Sequence, residues 1–340
     1  MEKQKAAVVT PGSFYIPSGR SSSVERVVEQ MDPYGASRFR YENLRSPGAG
    51  TPCRRVDRRR DSGSSPSRRR PLCFGRDPSP VGVEAAGGRR RTVRLLACKI
   101  KEALPDSKVV ASIHSLTYIS PPYMDRESAG RVLQPLDGIV VNSMYLKHEV
   151  TARHPALRDK ISVNPLGVRL QDFTPRWNPS SEALREAKLR DRGWQGRRIV
   201  MYAGRLLPIK GVHHLLAALP ELVRAVPDVM VLIVGSPYYQ SGRPHPYERY
   251  LHDLAEPYLG HVTFIPFVSY PAISYWYHLA DVVAVPSAEG EAFGLVNVEA
   301  MASAVPVVAS DAGGIPEIVE NGKSGIVLPL PPLENSLALP

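Results

Sequence analysis

A chain of 340 residues, 43% of them hydrophobic and 22% charged, has the composition of a soluble globular protein with room for two ordinary domains. No apolar run approaches the ~18 residues of a membrane span. The start, Met1–Lys5, leads into a short apolar stretch cut by Pro11 and Gly12, and does not read as a signal peptide. Three cysteines (Cys53, Cys73, Cys98) suit neither a disulfide framework nor a metal site, so a reducing cytoplasm is expected. The formal net charge of +10 would ordinarily point to nucleic acid. Fifteen arginines, no lysine and five acids lie between Arg40 and Arg94, however, leaving 28 bases against 28 acids elsewhere. No nucleic-acid partner is expected.

In chain order, Ala6–Thr10 reads as a strand and Val24–Met31 as a helix. Asp32–Arg94 supplies no convincing strand. From Arg45 to Arg94 the chain is Arg-, Gly-, Pro- and Ser-rich and lacks an apolar period, so it cannot offset the entropy of ordering. It is expected to be a disordered insertion or, as arginine without lysine in a place that needs strands favours, aberrantly translated sequence, a reading that extends to Leu330–Pro340. Beyond Leu95, β-rich apolar runs alternate with amphipathic stretches, the pattern of a parallel α/β protein. Strands are expected at Val109–Ile113, Ile139–Val141, Ile161–Val163, Ile199–Ala203, Val229–Val234, Val262–Ile265, Val282–Val285 and Val307–Ala309. Helices are expected at Val212–Val226, Tyr247–Tyr258 and Leu295–Ser303. The Pro- and charge-rich stretch from Gln171 to Arg198 marks the joint between two Rossmann-like domains, 1–175 and 176–340.

Two constellations carry chemistry. Strand Ile199–Ala203 ends in Gly204-Arg205, with Lys210-Gly211 shortly before a helix. In an open α/β sheet, ligands bind beyond the carboxyl ends of strands, and two cations there suit a diphosphate; solvated loop charges are the plain alternative. The second constellation runs from Glu291 through Phe293, Gly294 and Leu295 to Glu299. Gly294 permits close backbone approach, and the helix beginning near it directs free N–H groups at a phosphate. On an ideal helix, eight positions bring Glu291 and Glu299 to within roughly a quarter-turn, one for a sugar hydroxyl and one for a ribose diol. Acids complementing a helix dipole are the alternative. The chain has no Asp-x-Asp pair to clamp a metal nucleotide, so no metal and no cofactor are expected. The Tyr270–Tyr277 aromatic cluster reads as helix packing.

Together with Ser310-Asp311-Ala312-Gly313-Gly314-Ile315-Pro316-Glu317, these motifs resemble the donor domain of the family 4 retaining glycosyltransferases. The resemblance runs from about Lys108 to Pro329 and touches Ala6–Met31; within the family the wording is similar to the bacterial spore-coat glycosyltransferases. It implies the GT-B fold, two Rossmann-like domains facing a cleft, with the first domain incomplete here and the family's closing crossover helices missing after Pro329. It further implies that Arg205 and Lys210 stabilise a departing nucleoside diphosphate, Glu299 holds the ribose and Glu291 the transferred sugar. Gly204, Phe293, Gly294 and Leu295 line the donor, Gly19 lets an N-terminal loop close over it, and His114 faces the sugar. Ser115 stands where members often carry Asp, and Asn164–Gly167 replaces a familiar Pro-Asn-Gly turn. The implied reaction is metal-independent transfer with retention from a UDP-, GDP- or ADP-linked sugar to a glycan, lipid-linked or protein acceptor. Peripheral attachment to a membrane or spore coat is compatible with it. A nucleotide-sugar epimerase and an inactive coat protein of the same architecture are the competing readings.

Overall fold

The computed structural model describes residues 106, 108–237, 245–288 and 290–330, together with the backbone of two short strands near the start. Gly19, the expected helix Val24–Met31, the segment 45–94 and the last ten residues lie outside the described residues.

Two parallel sheets organise the chain. The first has the order β2-β1-β3-β4-β5, built from β1 (Lys5–Val8), β2 (Arg40–Asn43), β3 (Lys108–Ile113), β4 (Gly138–Val141) and β5 (Ile161–Val163). β2 corrects the expectation that nothing between Asp32 and Arg94 forms a strand. Its Arg-Tyr-Glu-Asn sequence has no apolar alternation, and its order comes from parallel pairing along β1, Lys5 to Arg40 through Val8 to Asn43. The helices of this domain include α1 (Arg126–Leu133) and α2 (Met144–Arg153), whose start matters below.

The second sheet has the order β11-β10-β9-β6-β7-β8, from β6 (Arg198–Ala203), β7 (Val229–Val234), β8 (Val262–Ile265), β9 (Val282–Val285), β10 (Val307–Ser310) and β11 (Gly325–Leu328). Every residue of β7 is buried, as expected of a parallel strand covered on both faces. The pleat divides β6: Met201 and Ala203 enter one core with Leu232, Val283 and Val307, while Tyr202 enters the other with Val231, Ile233 and Leu216.

Helices cover both faces. The joint between the sheets is a 13-residue helix, α3 (Pro179–Asp191), which the Pro- and charge-rich composition conceals. Pro179 occupies its first turn, where a missing N–H costs nothing, and the Asn178 side chain accepts from the Ser180 N–H. Its buried Arg185 reaches the Leu279 carbonyl (3.1 Å) and Asp281 (2.9 Å), tying the joint to the second sheet. The single helix expected at Val212–Val226 is two, α4 (Val212–Ala217) and α5 (Leu219–Ala225). Pro220 has no N–H to give to Leu216 and its ring crowds that carbonyl, which breaks the run. α6 (Pro246–Ala255) buries Tyr247, Leu251 and Ala255 at four-residue spacing. α7 (Ser274–Leu279) and α8 (Leu295–Ala302) complete the set that surrounds the site.

Candidate active site

The candidate site lies at the carboxyl ends of β6, β9 and β10. After β6 the chain passes Gly204 and Arg205, then makes a single tight turn, Pro208–Lys210. Gly211 follows with φ +68°, and a Cβ there would sit 1.8 Å from the Pro286 carbonyl oxygen. Only glycine allows that approach. It presses the loop after β6 against the loop after β9 and carries Lys210 to Glu291.

The two meet in a direct ion pair, Lys210 Nζ to Glu291 Oε2 at 2.5 Å. The Ser287 hydroxyl donates to the same carboxylate oxygen at 3.0 Å, and Ser287 is itself held through its carbonyl by the Ser310 hydroxyl at the end of β10 (2.5 Å). The three strand ends thus converge on one carboxylate. Arg205 is exposed on the same loop as Lys210 and donates to the Pro237 carbonyl at 3.4 Å. Its backbone is fixed more firmly, because the buried Tyr202 hydroxyl donates to the Arg205 carbonyl at 2.7 Å. Burial and the neighbouring Tyr247 push the Tyr202 phenol well above its ordinary range, so it remains a donor.

Phe293 and Gly294 are buried and Leu295 half-buried, at the point where α8 starts. Gly294 takes the left-handed conformation at the helix N-cap, and no side chain caps this end. Asn297 donates to the Gly294 carbonyl at 2.9 Å, while its Oδ1 is buried without a partner. Glu299, 5% exposed, accepts from the Tyr277 hydroxyl at 2.8 Å. Glu291 lies just before α8, as expected, but the left-handed Gly294 separates it from the helix, which begins at Leu295, so the ideal-helix angle between Glu291 and Glu299 does not apply. The two acids belong to one segment but not to one helical face.

His114 stands at the end of β3 in the first sheet. Its Nε2 is 2.8 Å from the Ser112 hydroxyl and its backbone carbonyl accepts from Asn142 (3.2 Å). Its Nδ1 is buried without a partner. Burial lowers its pKa from the usual histidine value, so the ring is neutral near pH 7. Among the described residues no hydrogen bond joins His114 to the second sheet's domain. Gly19 lies outside the described residues.

Sequence reasoning missed that Tyr202, Tyr277 and Ser287 support this site, and it reads Ser310 only as part of a motif. Tyr202 lies in a buried strand and Tyr277 in an aromatic helix, positions that read as packing, while Ser287 lies in the loop after β9; periodicity does not reveal where a hydroxyl points. Among the described residues, no group of three His, Cys, Asp or Glu side chains could hold a metal ion, and no helix is long and apolar enough to cross a membrane.

The family described as Glycosyl transferases group 1 matches residues 185–338, the whole of the second sheet included. That domain is a group 1 glycosyltransferase domain. Spore coat protein SA of Bacillus subtilis is 34% identical to the chain over 231 residues, 68% of this chain and 61% of that protein. The chain spans between 46% and 61% of the length of the first curated relatives that it matches. Among solved structures, sucrose-phosphate synthase from Thermosynechococcus elongatus superposes with a TM-score of 0.64 at 21% identity, over 98% of this chain and 88% of that one. HepE from Anabaena, in complex with UDP and glucose, superposes with a TM-score of 0.60 at 24% identity, over 71% of this chain and 62% of its own. These likenesses show the fold: two parallel α/β sheets in the GT-B arrangement. The glycosyltransferase domain holds Arg205, Lys210, Glu291 and Glu299, whereas His114 lies before it.

Proposed function

We propose that the chain transfers a sugar from a nucleoside-diphosphate donor to an acceptor hydroxyl, with retention and without a metal ion. The observation that carries this reading is the Lys210–Glu291 pair, which bridges two strand-end loops beside the uncapped start of α8. An arriving diphosphate offers Lys210 a second anion. Lys210 turns toward the phosphate, and the Glu291 carboxylate, still held by Ser287, becomes free to accept from a sugar hydroxyl. Arg205 and the first N–H groups of α8, at Gly294 and Leu295, add positive charge where the leaving group gains negative charge, which is the electrostatic form of catalysis. Glu299, oriented by Tyr277, accepts from the ribose hydroxyls. His114, neutral and with Nδ1 unpartnered, offers the sugar a hydrogen bond from the facing domain. The departing phosphate takes the acceptor proton, so no protein nucleophile is assigned. HepE in complex with UDP and glucose supports a nucleotide sugar as the ligand class, and the relation to spore coat protein SA supports a role at the spore coat.

The test begins with thermal stabilisation by UDP, GDP and ADP, since a ligand binding only the folded state must raise apparent stability. Sugar nucleotides of the stabilising base are then offered with glycan, lipid-linked and protein acceptors, and products are read by mass spectrometry. Transfer with the anomeric configuration kept is expected. Isomerised donor without transfer would replace this reading with an epimerase, and no stabilisation by any nucleotide would refute it.

A further inference from the structure

Three backbone segments meet where the two domains touch. From the first domain comes the start of α2. Its N-cap, Ser143, is fully buried and its hydroxyl works in two directions. It accepts from the Leu146 N–H of its own helix at 3.0 Å and donates to the Ala292 carbonyl of the second domain at 2.5 Å. Ala292 is the neighbour of Glu291, and its side chain packs into the core of the first domain with Leu146 and Val141.

The third segment follows β10. The Glu317 carboxylate reaches across to α2, with Oε2 accepting from the Met144 N–H at 2.7 Å and Oε1 from the Tyr145 N–H at 2.6 Å. The first N–H groups of a helix have no partner within it and carry partial positive charge. Here one carboxylate, 173 residues away in the chain, satisfies two of them with charge-assisted bonds. The same segment is locked to the donor site, since the Gly314 N–H donates to the Glu291 carbonyl at 2.8 Å. Side chains would push the layers apart. A Cβ at Gly313 would lie 2.1 Å from the Glu291 carbonyl oxygen and 3.1 Å from the Tyr145 ring, and one at Gly314 would lie 2.5 Å from the Ala292 carbonyl oxygen and 3.1 Å from Ser143 Cβ.

From this arrangement we infer that Glu317 is a positioning residue: it clasps the start of α2 and, through the Gly314–Glu291 and Ser143–Ala292 bonds, sets the Glu291 carboxylate according to how the two domains meet. The inference deepens the proposed function and rests on it for the role of Glu291, but the clasp itself is a matter of contact between domains. Both Glu317 and Met144 are exposed, so water can take either partner when the domains part. The clasp therefore opens without leaving a buried charge, as a device that closes and reopens in each cycle requires. Glutamine has one acceptor oxygen and cannot satisfy both N–H groups, and aspartate keeps the charge but is one methylene short.

The experiment uses the full chain with Glu317→Gln and Glu317→Asp, and Ser143→Ala as a separate route to the same joint. Amide hydrogen exchange at Met144 and Tyr145 reads the clasp directly and needs no activity. Expected is exchange at least tenfold faster at these two amides in both Glu317 variants, with the central strand β7 unchanged. In transfer assays, kcat is expected to fall about tenfold in each of the three variants, while affinity for free nucleoside diphosphate changes less than twofold, because Lys210 and Glu299 stay in place. Unchanged exchange at Met144 and Tyr145 would overturn the clasp. Faster exchange with unaltered kcat would overturn its link to Glu291. Faster exchange spread evenly over β7 as well would mean that Glu317 serves stability alone and would also overturn the inference. Absence of transfer in the parent chain refutes the proposed function, and the exchange measurement still decides the clasp.

Discussion

The Lys210–Glu291 pair should separate stability from catalysis in a double-mutant cycle. Glu291 has a side chain 13% exposed and Lys210 one 30% exposed, so the pair lies between two known limits. Removing one partner of a fully buried pair costs about 3–5 kcal/mol, and exposed pairs contribute about 0–1 kcal/mol. Lys210→Met leaves the carboxylate with the Ser287 hydroxyl and partial access to water, which places its cost at about 1–2 kcal/mol. Glu291→Gln leaves an ammonium that water reaches more easily, at a cost of about 1 kcal/mol. In the double variant neither charge is stranded, so its loss should be smaller than the sum of the two by about 1 kcal/mol, well above the ~0.3–0.5 kcal/mol within which independent sites add. Urea denaturation of the four proteins gives the coupling. Turnover should behave differently. Each single change should lower transfer by ~10²-fold or more, as removal of a transition-state partner does, and the double variant, about as stable as Lys210→Met, should not recover transfer. Strictly additive stabilities would refute the pair, and a double variant with near-parental transfer would refute its catalytic assignment.

Other consequences follow from the same geometry. Glu299→Gln removes the charge of the buried carboxylate that the Tyr277 hydroxyl holds; nucleotide affinity should weaken by the ~1.5–3 kcal/mol of a hydrogen bond to a charged group, and unchanged affinity by calorimetry would show that Glu299 does not hold the ribose. Arg185→Met removes the bonds to the Leu279 carbonyl and Asp281, while Asp281 keeps Arg176 at 3.1 Å and the Ile199 N–H at 2.8 Å; a loss of about 1–2 kcal/mol in stability is expected, with nucleotide affinity of the folded protein unaltered, and urea midpoints check the first part. His213 is held at 2.8 Å from the Tyr247 hydroxyl, and burial with the adjacent His214 lowers its pKa to about 4. The unfolded chain therefore takes up a proton below pH ~6.5 that the folded protein refuses, so stability is intact above that pH and falls between ~6.5 and about 4, by up to ~1.4 kcal/mol per pH unit. His213→Gln should flatten that part of the stability–pH curve, and an unchanged slope would contradict the assignment.

The inner strands of the second sheet are legible in the sequence because they are covered on both faces. Val229–Val234 and Val282–Val285 are continuous apolar runs, and a run of that kind needs no context. β2 and β11 were not legible for opposite reasons. Arg40–Asn43 is polar and owes its order to pairing along β1, while Gly325–Leu328 is an edge strand with alternate residues exposed. The break at Pro220 was readable from proline chemistry alone, yet the apolar period on either side conceals it. At the site, charges at strand ends announced Arg205, Lys210 and Glu291. The partner of each was not announced, because whether Lys210 meets Glu291 depends on how closely Gly211 lets two loops approach. Glu317 shows the same limit: its motif could be read, but its target, the start of a helix in the other domain, exists only once the chain has folded.

Calorimetric titration of nucleoside diphosphates into the full chain, in buffer containing EDTA, tests the central claim most directly, since it asks whether Lys210 and its neighbours neutralise a diphosphate without help from a metal. The account predicts saturable binding of one molecule of UDP, GDP or ADP per chain, unchanged when Mg²⁺ is restored, and at least tenfold weaker in Lys210→Ala. Binding that requires Mg²⁺, or that Lys210→Ala leaves intact, would contradict it.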